Sequence, residues 1–366
     1  MQELSSFFLK KKILVYGLGI SGFSSLRYLK NKNDVKFYDD NFRKLKNNKI
    51  KKFFISKNKI FKYGFDIIIL SPGINKEKSH LKKFLSKNNH KIYTDLDIFY
   101  CNNAKNITIA VTGTNGKSTT VQLLHDIIKS TNKDVRLAGN IGNSVLNEKK
   151  ITERTIFVIE TSSYQIEYSK IFKAKYAILL NISPDHLERH KTFNNYLNTK
   201  LKLFLIQNKN DFAFFNKKNY FIKKQLKNKK INSQIINVKN YLKPYLQNSI
   251  NNQYFGNKNN LQNLSFIFSL CKILKIKQKQ ILKVINNFKG LKFRQQLIYN
   301  SKKLKIINDS KATSFASSEN LISSLRNVFW ILGGLPKKGD NFKLKNIQKY
   351  VLKAFIFGKD KNFFIK

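Results

Sequence analysis

In the stretch ITIAVTGTNGKSTT an apolar run leads into Gly113, Thr114, Asn115, Gly116, Lys117, Ser118 and Thr119, and the pattern predicts a strand, a loop and a helix. Glycines let backbone N–H groups approach phosphate oxygens, and a helix N-terminus adds positive potential there. A lysine reaches the terminal phosphates and a serine hydroxyl can ligate Mg²⁺. The string therefore implies a phosphate cradle for ATP. It departs from the common GxxxxGK[ST] spacing, whose first glycine would fall on Val111, because the glycine sits at Gly113 instead. Glu160 ends the apolar run TIFVIE and His186 follows YAILLN, so both are expected at strand ends facing the crevice that holds Ser118. One carboxylate, one imidazole and one hydroxyl suit Mg²⁺ when waters and phosphate oxygens complete an octahedron.

A second glycine cluster, Gly17, Gly19 and Gly22 in VYGLGISG, matches GxGxxG and is followed by Asp39 and Asp40. That spacing fits dinucleotide binding, but close strand–helix packing needs the same turn whatever the ligand. A redox reading would also need a nicotinamide site, for which nothing specific is present. Cys101 and Cys271 form no CxxC pair, so neither a disulfide framework nor a thiolate metal site is suggested. His80, His90, His125 and His190 have no comparable setting and read as surface or packing residues.

These residues need strands to hold them. Short apolar runs alternate with amphipathic stretches from the start, the pattern of an α/β chain with parallel sheets. KKILVYGLG, DVKFYDD, FDIIILSPG, TIFVIETSS and YAILLNISPDH read as strands ending in polar loops, where the active residues of such sheets gather. From about residue 208 to 260 the signals are few, with DFAFF as a candidate strand; KKLKIINDS opens a third unit, followed by two further parallel strands, VFWILGG and KAFIFGKD. A length of 366 residues favours two or three domains. No apolar run approaches the roughly 20 residues that span a bilayer, which with the reduced cysteines points to a cytoplasmic protein. The net charge of +49 would ordinarily suggest nucleic acid. The excess is lysine spread evenly among asparagine, isoleucine and phenylalanine, as drift towards A/T-rich codons would produce, so it reads as solvated surface.

Taken together, GLGISG, SPGI, GTNGKST, GNIG, ETSSYQIE, NISPDHLERH, NDSKATS and GGLPKKGD resemble the D-glutamate-adding Mur ligases in order and spacing, over nearly the whole chain. The sister ligases carry GTHGK, or GTNGKT with a DNPR motif, and the folate enzyme GTNGKG. The resemblance implies a three-domain architecture: a Rossmann-like UDP-substrate domain over residues 1–97, a central P-loop domain for ATP and magnesium over 98–290, and a partial Rossmann-like amino-acid domain over 291–366. It implies coupling of UDP-N-acetylmuramoyl-L-alanine to D-glutamate through an acyl phosphate, with Lys117, Glu160, His186 and Lys200 catalytic, two Mg²⁺ ions held by Ser118, Glu160, His186 and Lys200, and Lys200 carbamylated by CO₂. Asn260, Asn263, Arg294 and Asp309 would join residues 113–119 around the nucleotide. Gly17, Gly19, Asp39, Ser71, Asn140, Ser162, Lys311, Thr313 and Lys337 would contact the other substrates. The family often has Thr-Arg after the first aspartate and HR with E near Arg294; this chain has Asp40 and Asn41, and Phe293, Gln295 and Gln296.

The resemblance places further D-glutamate contacts beyond Lys366, so the third domain is expected to be incomplete and ligation by this chain impaired. The expected protein is a monomer with no nucleic-acid or membrane partner. Another amino-acid ligase of the superfamily, or a non-catalytic nucleotide- or nucleic-acid-binding protein, are the alternatives to test.

Overall fold

The computed structural model describes residues 2–41, 48–239, 241–256, 258–312, 315–335 and 347–365. The first unit is a parallel sheet of β1 (Lys12–Tyr16), β2 (Asp34–Tyr38), β3 (Ile67–Leu70) and β4 (Ile92–Tyr93), in the order β2-β1-β3-β4. Its strands read KILVY and IIIL and are buried along nearly their whole length, as strands covered on both faces must be. The helix Ile20–Leu29 follows the first glycine turn and covers one face.

The second unit is a six-stranded parallel sheet: β5 (Thr108–Thr112), β6 (Val135–Gly139), β7 (Ile156–Glu160), β8 (Tyr176–Leu179), β9 (Phe212–Phe215) and β10 (Gln234–Asn237), ordered β10-β9-β8-β5-β7-β6. The chain leaves β5 for strands on both of its sides, which opens a crevice at the carboxyl ends of β5, β7 and β8. Register keeps those ends level, since Val111 pairs with both Glu160 and Ile178. One face packs on the helix Lys117–Lys129 and on the helices Lys258–Ile273 and Gln278–Asn286, with Val121, Leu124, Ile267, Leu270 and Ile285 buried between them. The other face belongs to an apolar cluster that continues through Leu96 and Phe99 to Ile13 and Val15 of the first sheet. The sparse stretch before residue 260 carries β10 and the short helices Tyr220–Leu226 and Pro244–Asn248.

In the third region β11 (Gln296–Asn300) and β12 (Lys305–Asn308) form an antiparallel hairpin, and β13 (Val328–Gly333) pairs in parallel with β14 (Val351–Phe357). All three expected strands are present, KKLKIINDS as β12 and VFWILGG and KAFIFGKD as the parallel pair; β12 pairs antiparallel, with β11, which was not foreseen because QLIYN is too short and half-polar to declare itself. Both ribbons expose apolar side chains, among them Ile298, Ile306, Phe329, Ile331, Leu352 and Phe357. No helix of the described residues is long and apolar enough to cross a membrane.

Candidate active site

The loop after β5 starts the site. Thr112 ends the strand, and the backbone then takes positive φ at Gly113 and Gly116. At Gly116 a side chain is excluded twice: φ is +83°, and an added Cβ would lie 2.1 Å from the amide of Asn263. The loop is braced from the segment just after β8, where Asn181 accepts from Asn115 N–H at 2.8 Å and donates to its carbonyl at 3.0 Å. Thr114 N–H donates to the Asn181 carbonyl. The helix Lys117–Lys129 begins at the loop's end, so its N-terminal field falls on the cradle.

Two lysine side chains converge here. Lys117 Nζ donates to the carbonyls of Gly113 at 2.9 Å and Thr114 at 2.8 Å. Lys200, on the helix Phe193–Leu205, is 1% exposed and also reaches the Gly113 carbonyl at 2.9 Å, with the Thr112 hydroxyl at 3.2 Å. Its Nζ lies over the Tyr196 ring, 4.7 Å from the ring centre. Burial first, and the Lys117 charge second, push this amine well below the ordinary lysine range, while Asp185 and Glu160 act in the opposite direction.

Glu160 ends β7 and is buried. Its Oε1 accepts from Asn140 Nδ2 at 2.8 Å, and its Oε2 has no hydrogen-bond partner. A buried carboxylate oxygen without a donor is costly unless a cation satisfies it. The Ser118 hydroxyl and the His186 imidazole are, with Glu160, donors of the kind a hard divalent cation such as Mg²⁺ takes, although among the described residues no three His, Cys, Asp or Glu side chains form a ready-made metal cluster. His186 holds φ +55° at the start of the helix Leu187–His190, a left-handed conformation that non-glycine residues adopt mainly under local constraint. Its ring lies 6.2 Å from that of Tyr196, whose hydroxyl is 3.2 Å from Thr114 Oγ1, so imidazole and loop share one aromatic neighbour.

Asn260 and Asn263 come from the helix Lys258–Ile273. Asn263 lies against Gly116 with a buried Oδ1 that lacks a partner, and Asn260 donates to the Tyr254 carbonyl and to Gln295. Beside Gln295 stand Arg294 and Asp309, whose carboxyl accepts from Gln295 N–H at 3.0 Å; burial pushes its pKa up to about 6 against the pull of that N–H and of Arg294. Lys311 is exposed. Thr313 and Lys337 lie outside the described residues.

The structure puts two of the expected substrate residues to local use. Asn140 holds Glu160, and Ser162 caps the helix Ser163–Tyr168 by exchanging hydrogen bonds with Gln165. Gly17, Asp39 and Ser71 gather at the carboxyl edge of the first sheet. Ser71 Oγ donates to the Gly17 carbonyl at 2.6 Å, and Asp39 accepts from Leu18 N–H at 2.7 Å and Asn41 N–H at 2.8 Å. Nearby Tyr16 donates to Asp40, which also pairs with His80 at 3.2 Å. Gly19 is different: an added Cβ would meet nothing within 4 Å. Sequence reasoning missed Tyr164, Asp185, Tyr196 and Asn181. The position of Asn181 just after β8 is the signal that could have found it; the tyrosines carry none, since only packing brings them here.

The chain is similar to known proteins. A family model described as the Mur ligase middle domain matches residues 111–281. The UDP-N-acetylmuramoylalanine--D-glutamate ligase of Rickettsia felis is 35% identical over 98% of this chain and 83% of its own length, and that of Rickettsia prowazekii 34% over 97% and 84%. Among solved structures, the MurF ligase from Thermotoga maritima, crystallised in complex with ADP, superposes with a TM-score of 0.57 at 17% identity, covering 84% of this chain and 79% of that one. That likeness concerns the fold.

Proposed function

This chain belongs to the family of UDP-N-acetylmuramoylalanine--D-glutamate ligases, and on that premise we propose how its own residues carry out the reaction, the ATP-dependent addition of D-glutamate to UDP-N-acetylmuramoyl-L-alanine in peptidoglycan synthesis. The observation that carries the reading is the convergence of Lys117 and buried Lys200 on the carbonyl of Gly113, within the loop of residues 113–119.

A carboxylate is a poor acyl donor, so the γ-phosphoryl group of ATP moves onto it. The amine of D-glutamate then attacks the acyl phosphate and phosphate leaves. Bringing two anions together requires charge neutralisation. Lys117 is placed to leave its two carbonyls for the terminal phosphates, while the loop N–H groups bind the remaining oxygens. Magnesium, two ions in this proposal, would supply electrostatic stabilisation of the transferring phosphoryl group, held by Ser118, Glu160, His186 and carbamylated Lys200. Burial beside Lys117 favours the neutral Lys200 amine, the form that attacks CO₂; the carbamate forms with loss of one proton and sets a negative charge beside the Lys117 ammonium.

Asn260, Asn263, Arg294 and Asp309 are assigned to the nucleotide, and Lys311, Thr313 and Lys337 to D-glutamate or the transferred phosphate. Gly17, Gly19, Asp39 and Ser71 are assigned to the UDP moiety, with Asn140 and Ser162 nearer the reacting end. The boundaries 1–97, 98–290 and 291–366, the cytoplasmic location and the monomeric state belong to the same proposal. The test is Mg²⁺-dependent ADP release, expected only when UDP-N-acetylmuramoyl-L-alanine and D-glutamate are both present. Equal turnover with L-lysine or L-alanine would overturn the assignment.

A further inference from the structure

The side chains around His186 form a chain of hydrogen bonds whose direction is fixed by chemistry. Tyr164 Oη lies 2.9 Å from His186 Nδ1 and 3.0 Å from Glu188 Oε1. A phenol has one proton, and an ionised carboxylate can only accept. The Tyr164 proton therefore goes to Glu188, because otherwise two acceptor oxygens would face each other at 3.0 Å with no proton between them. The phenol oxygen is then the acceptor for His186, and Nδ1 must carry the hydrogen. Nδ1 also lies 3.6 Å from Glu188 Oε1, and the other ring nitrogen, Nε2, lies 3.4 Å from Asp185 Oδ2, where its lone pair faces a carboxylate unless a proton or a cation stands between them.

The Tyr164 ring is itself held. The Arg189 guanidinium sits over it at 5.0 Å, tied to Glu167 by a 2.7 Å bond, and the His190 ring lies 5.9 Å away. Burial and the Glu188 charge also keep the phenol protonated well above neutral pH. The hydroxyl thus has a fixed place, and its removal leaves the ring packing intact.

We propose that Tyr164, directed by Glu188, is a positioning residue that holds His186 with hydrogen on Nδ1, so that Nε2 beside Asp185 is the nitrogen presented to a divalent cation. This rests on the placement of His186 at the cation site proposed above. Partners of this kind fix the tautomer and ring orientation of a ligating histidine, and their loss typically costs about 10- to 100-fold in metal affinity.

The test uses the full chain labelled with ¹⁵N-histidine, free of nucleotide and metal, with ring nitrogens recorded at about pH 8.5, where an ordinary histidine is neutral. His186→Gln identifies the resonances among the five histidines. Wild type is expected to show Nδ1–H, and Tyr164→Phe to lose that preference. In a second arm Mn²⁺ with ADP is titrated by electron paramagnetic resonance. Its affinity is expected to fall roughly tenfold in Tyr164→Phe with unchanged melting temperature. Wild-type His186 in the Nε2–H form, or an unchanged spectrum and Mn²⁺ affinity in Tyr164→Phe, overturns the proposal. If Tyr164→Phe does not fold, the wild-type tautomer decides alone. Loss of D-glutamate specificity with the tautomer intact would strike the substrate assignment only, whereas Mn²⁺ that leaves the wild-type His186 signals unbroadened would remove the cation placement and this proposal with it.

Discussion

The two glycine-rich turns make the same backbone demand and answer it differently. Each follows the first strand of a parallel sheet and leads into a helix. At the first, Gly17 takes φ +88°, its carbonyl receives the Ser71 hydroxyl, and Leu18 N–H is held by Asp39. At the second, the carbonyl of Gly113 accepts from two lysine side chains, Lys117 and Lys200. The first turn is closed on its own chain with carboxylates at its rim. The second holds the Lys117 ammonium, which an anion can redirect, beside the buried Lys200 amine. Local glycine spacing sets the turn, and the charges brought in from other elements set what it attracts.

Lys117→Ala should break the second turn most severely, by roughly 10³-fold or more in kcat/KM, because the terminal phosphates lose their direct counter-charge. Coupled ADP release measures this. Activity within threefold of wild type would mean that the wrong turn has been assigned to ATP. Lys200→Ala comes next, at about 10²-fold, with partial recovery in acetate or formate standing in for the carbamate; a complete absence of rescue would argue that only the lysine stem matters.

The first turn should respond in stability rather than chemistry. An alanine Cβ at position 22 would fall 1.7 Å from the Gly17 carbonyl oxygen, so Gly22→Ala should cost about 3 kcal/mol in urea unfolding. Gly19→Ala, with open space around it, should change stability by less than about 0.5 kcal/mol. Equal effects at the two positions would show that the packing distinction between them is false.

A pH-dependent effect concerns His190, which sits 3.0 Å from Ser163 Oγ beside the second site. Burial first, then the Arg189 charge, lower its pKa from 6.5 to about 4. The unfolded chain therefore binds more protons than the folded one between those values. Stability contributed by the neutral ring is complete above about pH 6.5 and is lost as pH falls towards 4. His190→Gln should flatten that part of the stability–pH curve, and an unchanged slope would assign it to other groups.

The sequence by itself determined the strand-loop-helix signature of residues 108–129, the glycines at 17 and 22, and the placing of Glu160 and His186 after apolar runs. Each of these follows from short-range physics: period, turn conformation and the rule that polar residues follow buried strands. It could not settle what surrounds them. IFVIE of β7 is wholly buried, whereas VFWILG of β13 leaves Phe329 and Ile331 62% and 73% exposed, although both read as core strands. Burial depends on which elements cover a strand, and that is decided by non-local packing. The same holds for Lys200. Among so many lysines only tertiary structure singles out one that is fully buried against a carbonyl already facing Lys117, and the union of Tyr164, His186 and Glu188 joins residues of two different helices that only the folded chain brings within hydrogen-bond reach.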